Sequence, residues 1–179
     1  MTSFEIQRLG PQDGRRFREI RLRSLRDAPD AFGSTYDETA ARPMEAWPEQ
    51  LTKMPTFVAV LADEDVGVVR ASKDEERADT AWLLSMWVAP QARGQGIADA
   101  LIDAIVYWAR DCGFDRLALD VADNNLHANA LYQRKGFLQT GETGSLPAPR
   151  DHIREHRRER IFRDDVMDNG ANLGPNVDR

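Results

Sequence analysis

Residues Trp82 to Ala98 read WLLSMWVAPQARGQGIA, and the fold follows from how this stretch is parsed. Trp82 to Val88 is an apolar strand, Ala89 to Arg93 is a short loop, and Gly94 and Gly96 space a turn into a long amphipathic helix. A helix that starts this way leaves its first backbone N–H groups without internal acceptors, and its macrodipole puts partial positive charge at the same end. Such a junction suits a phosphate. Taken alone, the glycine pair is a weak signal, since Gly-x-Gly also occurs in ordinary turns and in dinucleotide folds.

Downstream, Ile97, Ala98, Leu101, Ile102, Ile105, Trp108, Ala109 and Cys112 form one apolar helix face, which Gly113 ends. Leu117 to Val121 is the next strand, and its crossover through that helix makes it parallel to the Trp82 strand. Asn125 opens a shorter helix ended by Gly136, and a strand runs from Phe137 to about Glu142. Gly144 to Arg150 reads as a loop, and Ile153 to Phe162 as the last strand.

Upstream, Phe4, Ile6 and Leu9 mark a first strand that Gly10 and Pro11 end. Asp13 is the expected N-cap of a helix to about Arg26, with Phe17, Ile20, Ser24 and Leu25 near helical spacing and arginines on the other faces. Asp27 to Arg42 is turn-rich, and a second short helix around Met44 to Thr52 buries Trp47 and Leu51. Thr56 to Ala62 and Val66 to Ala71 form a hairpin. The expected architecture is an α/β sandwich around a mixed, twisted sheet of about seven strands, with helices on both faces.

At 179 residues the chain fits a single domain, expected over residues 1–166, followed by a disordered tail at 167–179 that lacks large apolar residues. No apolar run reaches the ~20 residues that span a bilayer, and MTSFEIQRLG has neither region of a signal peptide. With a lone Cys112, these features lead us to expect a cytoplasmic protein without a membrane partner. A formal net charge of -6 argues against a nucleic-acid partner. The arginine-rich run RDHIREHRRERIFR is offset by Asp151, Glu155 and Glu159, and reads as a solvated edge strand protected by charge. His152 and His156 lack the companions of a metal site, so no metal is expected.

Gln91, Gly94 and Gly96 match Q/R-x-x-G-x-G/A, and Asn125, Ala128, Leu131, Tyr132, Gly136 and Phe137 match N-x-x-A-x-x-L-Y-x-x-x-G-F. Two such motifs in this order resemble the acyl-CoA site of the GNAT acetyltransferases. The resemblance is close over about Leu84 to Phe137. It implies a central strand that carries a bulge and splays from its parallel neighbour, so that Met86, Trp87 and Val88 offer backbone groups to a pantetheine arm and an oxyanion. It also implies that Gln91, Arg93, Gly94, Gln95, Gly96, Ile97 and Ala98 surround the pyrophosphate, with Arg93 adding charge.

By the same resemblance Tyr132 is the general acid for the thiolate, although in isolation it is a helix residue packed on the core. Asn125 is a helix cap, a ligand of the pantetheine arm, or both. Phe32, Tyr36 and Trp47 either wall an acceptor pocket or are core aromatics. The central strand offers no carboxylate, which leaves the base to a water chain reaching Asp120, Glu38 or a carbonyl, or to an amine that is already neutral. The function implied is transfer of an acetyl group from acetyl-CoA to a primary amine, foremost of a small molecule. A peptide N-terminus or lysine, or a silent acyl-CoA-binding module, are the alternatives, and a homodimer stays open.

Overall fold

Val66, Val68 and Arg70 alternate with Gly67, Val69 and Ala71 along one buried strand, and this period-two pattern sets what lies on each side of the sheet. The computed structural model describes residues 3–162. Its elements are β1 (Phe4–Arg8), α1 (Gly14–Asp27), α2 (Tyr36–Ala40), α3 (Ala46–Lys53), β2 (Thr56–Leu61), β3 (Glu64–Lys73), β4 (Thr80–Val88), α4 (Ile97–Asp111), β5 (Arg116–Ala122), α5 (Leu126–Arg134), β6 (Leu138–Ser145) and β7 (Arg154–Ile161). The expected tail at 167–179 lies outside the described residues.

The strands form one seven-stranded sheet in the order β1-β2-β3-β4-β5-β7-β6. Every neighbouring pair is antiparallel except β4 and β5. Gly67 lies under Leu101 and Ile97 of α4, whereas Arg70, three residues on, stacks on Phe17 of α1. Helices therefore cover both faces, as expected. A Cβ on Gly67 would sit 3.0 Å from Leu101 Cδ1, so glycine here permits close helix–sheet approach.

Phe17 and Trp47 anchor the layer on the α1 face, fully buried and edge to face with centroids 5.4 Å apart. On the other face, Ile97, Leu101, Ile102 and Ile105 of α4 are fully buried. At about 25 cal/mol per Å² of apolar area removed from water, side chains of this size contribute roughly 1.5–3 kcal/mol each.

Three local readings need correction. The strand β7 is internal, paired to β5 on one side and β6 on the other, and β6, exposed along its whole length, is the edge. The charges of β7 are accommodated by partners: Arg157 bonds Asp120, Arg158 bonds Asn129 and the Phe137 carbonyl, and Glu159 meets Arg77 and Arg116. Asp13 stands at the expected N-cap of α1, but its side chain does not cap the helix, because its carboxylate accepts from the Gly10 N–H at 2.8 Å. Nor do arginines keep to the polar faces of α1, since Arg21 is only 7% exposed.

Candidate active site

The centre of the molecule is set by a defect in β4. Ser85 has φ +56°, and the register against β3 jumps so that Leu84 faces Arg70 while Trp87 faces Val68, the signature of a bulge. On its other edge β4 pairs with β5 only at Thr80 to Trp82. Beyond Trp82 the parallel pair splays, as the resemblance implied, and the β5-facing backbone groups of β4 have no strand partner among the described residues. Unpaired strand groups are a ready acceptor for an extended amide-bearing chain, in the manner of β-augmentation.

At the end of β4 the chain turns through Pro90–Ala92 into α4, whose N-cap is Gly96 with φ +80°. Gly94 has φ +76°, so both glycines occupy the left-handed region that L side chains resist. Among the described residues the amides of Gly94 to Ala98 find no acceptor. Among the described residues no side chain caps the helix start. A Cβ at either glycine would meet no atom within 4 Å, so open space lies beside the loop at both positions. Free amides, a helix N-terminus and open space fit a pyrophosphate. The splayed edge of β4 fits the pantetheine amides.

Arg93, expected to add charge at the pyrophosphate, has partners within the protein. Its guanidinium donates to Asp27 at 2.8 Å and to the Val88 carbonyl at 3.0 Å, while Trp87 Nε1 donates to the same Asp27 oxygen at 2.9 Å. Arg93 is thus a brace between α1, β4 and the loop, its charge offset by Asp27. Gln91 and Gln95 are exposed on the loop, Ile97 is buried as the first residue of α4, and Ala98 is half-buried.

The splay opens a cavity of about 580 Å³. Met86, Asn125, Tyr132 and Phe32, all singled out from the sequence, line it together. Asn125 caps α5 by accepting from the Ala128 N–H at 3.2 Å, leaving its amide nitrogen available at the cavity. Tyr132 is 6% exposed, with its ring edge to face on Phe137 at 5.8 Å. Burial pushes its phenol above the ordinary tyrosine range, so it stays protonated at neutral pH. Trp47 and Tyr36 do not reach the cavity: Trp47 is core against Phe17, and the Tyr36 hydroxyl accepts from Arg26 at 2.7 Å.

Two carboxylates named for a water chain have other partners. Glu38 completes a capping box with Thr35 at the start of α2, and hydrogen bonds from Thr35 hold its carboxyl below the usual range. Asp120 lines the cavity but receives Arg157 at 3.1 Å. The carboxylate that sequence reading missed is Glu155, which β7 brings beside Ala122 of β5. It lines the cavity, and its pKa is raised, first by burial and then by Asp120. Nothing in the run RDHIREHRRERIFR distinguishes this glutamate from its neighbours. Arg21 and Arg70 were also missed, although a signal existed. Arg21 sits four residues after Phe17 on the apolar stripe of α1, and Arg70 continues the inward series Val66, Val68.

A family model described as Acetyltransferase (GNAT) family matches residues 18–137. Human N-acetyltransferase 8B is 36% identical over 90 residues, which are 49% of this chain and 40% of that protein. The chain thus spans well under half the length of this relative. Aminoglycoside N(6')-acetyltransferase type 1 of Stenotrophomonas maltophilia is 30% identical over 144 residues, 75% of this chain and 86% of that protein. A solved GNAT acetyltransferase from Streptococcus pneumoniae shares the fold with a TM-score of 0.76 at 20% identity, covering 89% of this chain and 99% of that one. The ribosomal-protein-alanine N-acetyltransferase of Brucella melitensis gives 0.72 at 20% identity, over 88% and 99%. Because the family model spans more than half of the sequence, the chain belongs to the GNAT acetyltransferase family.

Proposed function

We propose that the protein transfers an acetyl group from acetyl-CoA to a primary amine of a small molecule, in one direct step between two bound substrates. The observation that carries this reading is that Glu155 and Tyr132, a group suited to accept a proton and one suited to donate it, line one cavity opened by the splay of β4 from β5. The aminoglycoside-modifying relative, aligned over most of both chains, supports a small-molecule acceptor.

In this account the amides of Gly94 to Ala98 hold the pyrophosphate, and Met86 to Val88 align the pantetheine arm and supply an amide to the developing oxyanion. Asn125 gives the arm a further hydrogen bond. Glu155, directly or through one water, takes the proton that an ammonium must lose before its nitrogen can attack, and its raised pKa brings it toward the working range of a base. The nitrogen forms its bond to the carbonyl carbon, the carbon–sulfur bond breaks, Tyr132 protonates the departing thiolate, and the second proton shed by the acylated nitrogen passes through water to restore the Tyr132 hydroxyl. Release of free thiol from acetyl-CoA across a panel of primary amines tests the proposal. Thiol release that depends on one amine class supports it, whereas tight acetyl-CoA binding with no release for any amine would leave a binding module.

A further inference from the structure

Three arginines line the cavity on the β3 side of β4: Arg21 from α1, Arg42 just after α2 and Arg70 from β3. Arg21 and Arg70 are 7% and 6% exposed. A guanidinium does not shed its proton to escape burial, so buried arginines are normally matched by a carboxylate. Among the described residues neither of these has one. Arg21 Nη1 reaches Ser24 Oγ at 3.4 Å, and its guanidinium stacks 4.6 Å from the Phe32 ring centre. Arg70 donates to Thr56 Oγ1 at 3.3 Å and to Gln50 Oε1 at 3.5 Å, and it stacks 4.6 Å from Phe17. Its remaining terminal nitrogen, Nη2, is buried with no acceptor.

The arginines also act on one another. Arg42 shares the Gln50 oxygen with Arg70, at 3.1 Å. Burial first, then mutual repulsion, brings Arg21 and Arg70 down to about 10. The carboxylate that senses Arg42 is exposed Glu38, whose oxygens are engaged in capping α2. Three like charges around one cavity, one with an unmatched buried donor, form a site for an anion that the described residues do not supply. The acetyl donor's phosphates belong at the opposite end of β4, at Gly94 to Ala98. Across β4 the same cavity is lined by Asp120 and Glu155, so it is cationic on one flank and acidic on the other.

We propose that the acceptor is an amine bearing an oxyanion, a carboxylate or phosphate, which Arg21, Arg42 and Arg70 hold while the amine is directed to the acidic flank. The inference rests on the acetyl-transfer reading of the cavity and narrows it to amino-acid-like or phosphorylated amines. A polycation would meet the arginine flank unfavourably.

The test is a matched panel with acetyl-CoA: α-amino acids against their amides, phosphoethanolamine against ethanolamine, and spermidine. The anionic member of at least one pair should be preferred by roughly 10²-fold in kcat/KM, the scale of charge-assisted hydrogen bonds made to one partner only. Which pair shows the preference separates carboxylate from phosphate. Arg42→Gln alters an exposed residue, so the fold should survive, and it should shrink the preference about tenfold with acetyl-CoA affinity unchanged. Equal or better turnover of the neutral amides, ethanolamine or spermidine would overturn the proposal, as would an Arg42→Gln variant that loses acetyl-CoA instead. If no amine is acetylated, calorimetry of N-acetyl amino acids and inorganic phosphate in the presence of CoA decides separately. Anion binding that weakens in Arg42→Gln would uphold the arginine site while rejecting acetyl transfer, and no anion binding by the wild-type protein would reject the site itself.

Discussion

On the acetyl-transfer proposal, the donor and acceptor halves of the site are built from different materials. The donor half, from the bulge at Ser85 to the start of α4 beyond the cavity lining, presents backbone: unpaired groups on β4 and amides at Gly94 to Ala98 without acceptors among the described residues. The acceptor half presents side chains drawn from α1, the segment after α2, β3, β5 and β7. Backbone donors are fixed by φ and ψ and do not depend on which side chains surround them, so one cosubstrate can be held by a short local code. An acceptor site made of converging side chains can change with each substitution. Variants in the two halves should therefore fail differently, the acceptor half in turnover and selectivity, the donor half in cofactor affinity.

The largest effect is expected at Glu155. Glu155→Gln keeps the shape and removes the base, and turnover should fall by about 10²- to 10⁴-fold with acetyl-CoA binding preserved. Because burial raises the pKa of Glu155 above its ordinary 4.5, and only the ionised form accepts a proton, kcat/KM should fall on acidification at a pH above the usual glutamate range. That acidic limb should vanish in Glu155→Gln. A variant that keeps both rate and limb would return the base to solvent.

Tyr132→Phe comes next. It retains the ring packed on Phe137 and should lower turnover about 10²-fold, with acetyl-CoA affinity nearly unchanged. Turnover and binding measured on the same folded variant decide it, and near-native turnover would return Tyr132 to a packing role.

In the donor half, Gly96→Val should weaken acetyl-CoA binding by about tenfold or more, since it combines left-handed strain of roughly 1–2 kcal/mol with a side chain in the open space beside the loop. Gly113→Val supplies the control, because Gly113 has φ +79° and equally open surroundings at the far end of α4. Calorimetry should find that variant less stable but of normal affinity. Equal affinity loss in both would mean that strain alone accounts for the effect.

The smallest effect belongs to the brace. Arg93→Met removes an ion pair to Asp27 that is more than half exposed on the arginine side, worth at most about 1 kcal/mol, and the melting temperature should drop by about 2–4 °C. Acetyl-CoA affinity should change only a few-fold. A loss as large as that of Gly96→Val would give Arg93 a direct part in holding the phosphates.

The same contrast explains what could be read from the sequence. The run from Trp82 to Ala98 gave strand, loop and helix because glycine spacing and apolar periodicity are local signals, and the second motif placed Asn125 and Tyr132 beside it. Glu155 depends on β7 lying inside the sheet between β5 and β6, a pairing across more than thirty residues of chain that no local pattern encodes. Taking β7 for a charged edge hid the one carboxylate that matters to the proposal. For Trp47 and Tyr36 the local sequence leaves pocket wall and core aromatic open, and only the packing on Phe17 and the bond from Arg26 place them away from the cavity. Arg21 and Arg70 were legible, because an arginine on an apolar stripe or an inward strand position is a buried charge by periodicity alone.

Amide hydrogen exchange with and without acetyl-CoA tests most directly the claim that the cosubstrate is held by backbone. The account predicts that the amides of Gly94 to Ala98, unpaired in the free protein, become protected on binding together with those of Met86 to Val88. Protection confined to other segments, with these amides exchanging as fast as before, would contradict it.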